Sequence, residues 1–328
     1  MFQFAIRRIL LLIPTLAAIA VGTFLIIQAP PGDYVDYLAA HNPEDADNPA
    51  YLAMLRERYG LGEPMYMQFW IWFSNIIFHG DFGHSFRFNA PVAEVVGQRL
   101  PLTLALALLT LVFTWAMALP IGIFAAVRQY SIGDYVATTI GFLGLSIPNF
   151  MLALVFVWVS FRYFGQSAGG LFSPEYVDAQ WSLARFWDLL SHLWVPVVVI
   201  GTAGTAGLIR IMRANLLDEL RKPYVVTARS KGISERRLLI KYPVRMAANP
   251  FFSTIGWVLP GIVSGEVIVS MVLNLQTTGP LLLDALRSQD MFLAGSFIMI
   301  LATLTVLGTM LSDFLLAWLD PRIRKQYR

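Results

Sequence analysis

LTLALALLTLVFTWAMALPIGIFAAV, residues 102–127, runs for 26 positions without a charged side chain. As an α-helix rising 1.5 Å per residue it is long enough to cross a hydrocarbon core about 30 Å thick. In that solvent the backbone must satisfy its own N–H and C=O groups, which a helix does within one segment. Five more stretches are long and mostly apolar, three of them with a single charged side chain (Arg162, Glu266 and Asp313): 9–28, 136–163, 190–208, 251–273 and 292–319. The sequence therefore predicts an all-α membrane protein with six transmembrane helices. Arg7 and Arg8 precede the first run as in a signal peptide. The run is longer than a signal core and has no clear small-residue cleavage site before Pro30-Pro31, so it reads as an uncleaved anchor.

Charge orients these spans. With residues 1–8 inside, the inner side receives Arg7, Arg8, Arg128, ten Lys and Arg between Arg210 and Arg245, and four in the tail 320–328. That is seventeen against seven on the outer side, in the sense of the positive-inside rule. Tyr66–Phe78 (YMQFWIWFSNIIF) is apolar and aromatic but short, and Gln68, Ser74 and Asn75 interrupt it. Counting it as a seventh span would move the ten-residue cluster outside, so it is placed as an aromatic helix at the outer interface, where Trp and Tyr are favoured. It belongs to a long periplasmic loop, 29–100, whose acidic, turn-rich beginning suits water. The expected location is the bacterial inner membrane, multi-pass, with both termini cytoplasmic.

Composition agrees and excludes several chemistries. The chain is 57% hydrophobic and 14% charged, against nearly half apolar and a quarter charged in soluble domains. A net charge of +3 does not suggest a nucleic-acid partner. There is no cysteine, and His41, His79, His84 and His192 have no metal-binding helical spacing, so no metal site is expected. No G-x-S-x-G or H-E-x-x-H appears, so no catalytic set is assigned. The phosphate-cradling sequence G-x-x-x-x-G-K-[ST] is absent too, so this chain holds no ATP of its own.

The most informative stretch is the cytoplasmic loop 212–250. Leu216–Arg221 and Tyr224–Lys231 contain good helix formers on either side of Lys222-Pro223. Pro223 suits a first helical turn, Gly232 a C-terminal cap, and Ser234 the N-cap of a further helix with Glu235 in its first turn. Two readings fit these residues. One is a polybasic loop drawn to anionic lipid. The other is a capped helix presented to a protein partner, which accounts better for small residues and caps at fixed places.

YVVTARSKGISERRLLIKYPVRMAANP, residues 224–250, resembles the cytoplasmic coupling loop of ABC importer permeases in the version of the dipeptide/oligopeptide/nickel family. The likeness continues along the chain. It takes in Pro31-Gly32-Asp33 after the first span, GDFGHSF and VVGQRLPLTLALA before the second, GLSIPNF at 144–150, TAGLIRIMRANLLDELRKPY, and the terminal SDFLLAWLDPRIR. The resemblance implies a type I ABC importer-like permease fold, with a permease core at 101–319. It also implies a short helix that docks in a groove on an ATPase subunit. Carried over, Thr227, Ala228 and Gly232 stand at motif positions, with Tyr224, Arg229 and Lys231 beside them. Val226 stands where the generic motif has glutamate. Where the family often has Glu-Thr-Val-Phe-x-x-Pro-Gly-Leu-Gly, this chain reads SMVLNLQTTG at 270–279, with Glu266 four residues earlier.

The implied partners are a second, homologous permease, two cytoplasmic ATPases that bind the ATP, and a periplasmic or lipid-anchored binding protein. Peptides head the implied substrates; oligosaccharides, opines and nickel chelates are alternatives within the family. A self-contained secondary transporter is the rival from another class. It calls for midplane coupling carboxylates and repeated halves; this sequence has few such carboxylates and no evident repeat. Glu266, Ser146 and Pro148 are the candidates for the translocation path, on the ground that intramembrane polar groups and helix-breaking prolines tend to line cavities. Gly201, Gly204 and Gly207 form a small-residue stripe read as a packing face.

Overall fold

A computed structural model of the chain describes residues 2–29, 32, 34–41, 48–58, 60–85, 87–164, 169–177, 179–255, 261 and 267–319. Its helices are α1 (Phe2–Gln28), α2 (Tyr34–His41), α3 (Pro49–Arg58), α4 (Met65–Ser74), α5 (Val92–Val127), α6 (Ile132–Ser146), α7 (Asn149–Val159) and α8 (Leu183–Leu220). They continue with α9 (Pro223–Ser230), α10 (Glu235–Lys241), α11 (Pro243–Ala247), α12 (Val267–Val272), α13 (Thr278–Arg287) and α14 (Met291–Leu319). Two-residue strands, β1 (His84–Ser85) and β2 (Ala90–Pro91), pair antiparallel and are the one departure from all-helical structure among the described residues.

Three described helices are long and apolar enough to cross a membrane: Val92–Val127, Leu183–Leu220 and Met291–Ala317. They match the second, fourth and sixth expected spans. Two of them extend well beyond those bounds, α5 beginning at Val92 rather than 102 and α8 ending at Leu220 rather than 208. In the first expected span the apolar helix covers Leu10–Leu25. The fifth, 251–273, lies in part outside the described residues.

The third expected span is bent rather than straight. Residues 136–163 do not form one helix: Ile132–Ser146 and Asn149–Tyr163 meet at 97°. Pro148 has no N–H to continue the ladder, and its ring pushes the preceding residue out of the helical region. Ile147 accordingly sits at φ −88°, ψ 120° and Pro148 at φ −59°, ψ 135°. Two consecutive extended residues turn the chain, so each half alone, about 22 Å long, is shorter than the hydrocarbon core, and the two together make a broken span or a re-entrant loop.

The described chain divides into two compact units. One contains residues 104–276 and the end of α14 from Thr305. Here α6 packs along α8, and Ala118, Leu208, Ile209, Met212, Leu216 and Phe251 form a buried core. Trp115 meets Phe251 edge to face at 6.1 Å. Small residues allow the approach: a β-carbon on Gly122 would lie 2.6 Å from Met212, and one on Gly201 2.7 Å from the ring of Phe113. Gly201 and Gly204 both face Thr114, so the glycine stripe packs helices as expected, whereas Gly207 has open space.

The other unit contains residues 2–103 and 277–304. Helix α4 and the π-helical turn Asn75–His79 confirm helix across 66–78. It is a packing helix as well as an aromatic one: Phe24 of α1 contacts Phe69 at 5.4 Å and Trp72 at 6.1 Å, over buried Ala20 and Met299. Buried Asp290 organises the far side. It accepts from the Ser85 hydroxyl at 2.6 Å, from Arg87 N–H at 3.0 Å and from Leu293 N–H at 3.1 Å. The last of these caps the start of α14.

Candidate functional site: a presented helix

Helix α8 carries its apolar face past the expected span, with Met212 and Leu216 fully buried, and stops at Leu220. Three residues later Pro223 opens α9 at its first position, where its missing N–H costs nothing. The helix ends at Ser230. Lys231 N–H bonds Thr227 C=O at 3.1 Å, Gly232 N–H bonds Arg229 C=O at 3.0 Å, and Gly232 takes φ +77°. An L side chain rarely adopts that conformation, which is why glycine stands here. Ser234 precedes α10 as expected, but its carbonyl rather than its hydroxyl starts the helix, accepting from Leu238 N–H at 2.9 Å. The capped helix–turn–helix read in 212–250 is present.

Burial then sorts α9 into two faces. Val225 and Ala228, three apart and therefore on one side, are buried against fully buried Leu238 of α10, with Ile233 and Tyr242 closing the cluster. Tyr224, Val226, Thr227, Arg229 and Lys231 are exposed, as is Gly232. Among the expected residues Ala228 is thus the anchor and the others form the presented surface. Val226, 51% exposed, stands there as an apolar contact with nothing on it. Four hydrogen bonds stiffen the rim: Tyr224 Oη donates to Glu219, Thr227 Oγ1 donates to Pro223 C=O, and Arg229 grips Glu235 through two nitrogens at 2.5 and 3.2 Å. The hydrogen-bonded Arg229 guanidinium holds the Glu235 carboxyl below the usual carboxylate range.

A neighbouring clamp escaped the sequence reading. Arg213 of α8 makes a bidentate pair with Asp134 of α6, Nε to Oδ1 at 2.7 Å and Nη2 to Oδ2 at 2.8 Å. Asp134 is buried, also accepts from Tyr130 N–H at 2.9 Å, and donates its own N–H to the Ser131 N-cap hydroxyl at 3.2 Å. The Ser131-x-x-Asp134 spacing is a capping-box signature and was the signal available. Its partner 79 residues away was not.

The other candidates do not converge on this helix. Ser146 Oγ bonds back to Phe142 C=O at 2.8 Å, and Pro148 precedes α7 at the bend. Glu266 lies outside the described residues.

Two family models match this chain. "Binding-protein-dependent transport system inner membrane component" covers residues 118–325, and its N-terminal companion covers 1–107. The oligopeptide transport system permease protein AppB of Bacillus subtilis (strain 168) is 35% identical over 324 residues, 98% of this chain and 99% of the relative. The dipeptide transport system permease protein DppB of Escherichia coli (strain K12) is 31% identical over 99% of both chains. Among solved structures, a chain of the MetNI methionine ABC transporter in an inward-facing conformation superposes with a TM-score of 0.53 at 14% identity. That match covers 69% of this chain and 96% of the other, a likeness of fold alone. With the two family models spanning nearly its whole length, this membrane-spanning, helix-presenting chain belongs to the binding-protein-dependent transport system inner membrane component family.

Proposed function

We propose that this chain is a transmembrane permease subunit of an ATP-driven importer for peptides or similar small solutes delivered by a periplasmic binding protein. It works beside a second permease, with six spans and both termini in the cytoplasm, and α9 is the element on which an ATPase subunit acts. The observation that carries this reading is the two-faced α9: Val225 and Ala228 anchored inside, Val226 and Tyr224 outward, between Pro223 at the first position and the Gly232 turn at the end. A lipid-binding loop needs charge alone and gains nothing from an outward valine. The chain has no phosphate-binding loop, so the ATP free energy must arrive through such a contact. It can bias the permease only by gripping one conformation better than another. Peptides are preferred because AppB and DppB are named for oligopeptides and dipeptides. Ser146, Pro148 and Glu266 are assigned to the path with less support, Ser146 and Pro148 because the broken helix leaves non-helical backbone at membrane depth, where water or protein must cover it.

Val226→Asp tests the docking face without touching a buried atom. Burying an unpaired carboxylate at a docking contact costs a few kcal/mol, so uptake of radiolabelled dipeptide and recovery of the ATPases with the tagged complex should each fall more than tenfold. The amount of chain in the membrane should stay the same. Uptake and recovery at the unsubstituted level would overturn the assignment of α9.

A further inference from the structure

A cavity of 720 Å³ opens near the start of α8, and neither the docking helix nor the Asp134–Arg213 clamp uses it. It lies wholly within one compact unit, and neither Ser146 nor Pro148 lines it. Residues 169–177 form one wall, the early turns of α8 a second, and Asn274 and Gln276 a third. In the orientation proposed above this is the outer side of the chain.

The first wall is tied in place along its length. Gly170 N–H donates to Leu273 C=O at 2.7 Å. Ser173 donates twice to Asp188 of α8, from its N–H at 2.8 Å and from its Oγ at 2.7 Å. Arg185 lies over the rings of Phe172 and Trp181, 4.7 and 4.8 Å from their centres, and donates to Val177 C=O at 3.0 Å. Leu171 is buried as an apolar anchor. The space is therefore formed before anything enters it, which spares a ligand the cost of ordering the wall, and its volume falls within the range of about 300–1,000 Å³ usual for small-molecule sites.

The lining has charge of one sign. Glu175 and Asp188 bring carboxylates, and among the described lining residues there is no lysine or arginine. His192 adds an acceptor: its Nδ1 donates to Asp188 C=O at 2.8 Å, which leaves a lone pair on Nε2 of the neutral ring. Glu175, Asn274 and Gln276 make no side-chain hydrogen bond or ion pair among the described residues, so one carboxylate and two amides stand uncommitted. Phe172, Pro174 and Val177 make the remainder apolar.

Each part matches a part of a short peptide. Carboxylates and an imidazole lone pair suit a free α-ammonium, amides suit the donor and acceptor of a peptide group, and the apolar wall suits a side chain. At roughly 30 Å³ per water the cavity holds on the order of two dozen waters, enough for a dipeptide and part of its hydration. A loop of a partner protein also offers amides and apolar side chains, but it carries no free α-amine. The acceptors facing the cavity therefore favour the small solute over an inserted loop.

We propose that this cavity receives the amino-terminal end of an incoming short peptide, with Glu175 and Asp188 taking the ammonium and Asn274 and Gln276 the first peptide group. The inference rests on the importer reading above and names the part of the solute that this chain recognises. It also gives a use to the stretch 270–279, where the sequence departs from the family pattern.

The test uses the chain in its complex with the second permease and the ATPases, in nanodiscs without binding protein, and an alanyl-photoleucine dipeptide as probe. After irradiation, labelling is expected in peptides covering 169–177 and 188–192, competed by Ala-Ala and not by N-acetyl-Ala-Ala. One exposed charge pair is worth up to about fivefold, so Glu175→Gln should lower labelling about three- to fivefold and Glu175→Asp should restore most of it. Ser191→Trp, which puts a large ring into the cavity from an exposed position, should abolish labelling there with Tm unchanged. Equal competition by N-acetyl-Ala-Ala would overturn the proposal, as would labelling indifferent to Glu175→Gln and Ser191→Trp. So would crosslinks from added binding protein into 169–177 that Ala-Ala does not displace, since they would make the cavity a protein-docking surface. Uptake of radiolabelled Ala-Ala by the complete system is measured in parallel. Uptake without labelling of the cavity refutes this site alone, whereas loss of both refutes the peptide-importer reading as well.

Discussion

Leu238→Ala puts the construction of the presented helix to the test. Leu238 is fully buried and is the α10 residue against which Val225 and Ala228 rest. Truncating a buried leucine costs about 2–5 kcal/mol, and the value depends on how far the surroundings collapse into the space. Here the cluster is small, and half-buried Ile233 and Tyr242 can close in, which places the cost near about 2 kcal/mol. Helix α9 has eight residues, fewer than the roughly 12–15 an isolated helix needs to be even marginal in water, so it depends on this cluster for its structure. A loss of about 2 kcal/mol raises its open population about thirtyfold. Hydrogen exchange followed by mass spectrometry should show that deprotection in peptides covering 223–230, with the α8 amides around Met212 unchanged. The matched control is Ile240→Ala on the same helix, where the side chain is 70% exposed and the effect should stay within about 0.5 kcal/mol. Unchanged protection of 223–230 in Leu238→Ala would refute the argument, as would an equal loss in Ile240→Ala.

Asp134→Asn keeps the shape of the clamp and removes its charge, leaving Arg213 without its carboxylate. Because the Arg213 side chain is 27% exposed, the cost lies at the low end for a broken buried pair, about 3 kcal/mol, read as a lowered Tm in detergent that Arg213→Gln partly restores. Asp290→Ala removes the acceptor shared by Ser85, Arg87 and Leu293, and unsatisfied buried donors cost about 1–3 kcal/mol each. Trypsin should then cut after Arg87 markedly faster, while sites on α8 keep their rate.

The parts of this protein legible in sequence are those set by one residue's own geometry or by a long uniform run. Pro223 at a first helical position and Gly232 at positive φ follow from ring closure and from the missing β-carbon, whatever surrounds them. The uncharged run 102–127 needs only its length. Hydropathy, however, marks where a helix is oily and not where it ends. That is why α8 continues twelve residues past the expected limit, on helix formers whose one buried face the apolar count does not register. Pro148 announces the extended Ile147 before it, but not the 97° at which the two halves meet. The Asp134–Arg213 and Asp290–Ser85 pairs join residues 79 and 205 positions apart, and no local pattern reports such a contact.

The length of α8 has a mechanical meaning. Pro196 interrupts its hydrogen-bond ladder, leaving Val197–Leu220 as an unbroken rod of roughly 36 Å that ends two residues before α9. Pivoted at Pro196, such a rod converts a rotation of roughly 5° into a displacement of about 3 Å at its tip. The gearing runs both ways. A partner that shifts α9 by the width of two carbon atoms needs only a slight tilt at the proline, which close-packed neighbours can absorb without repacking.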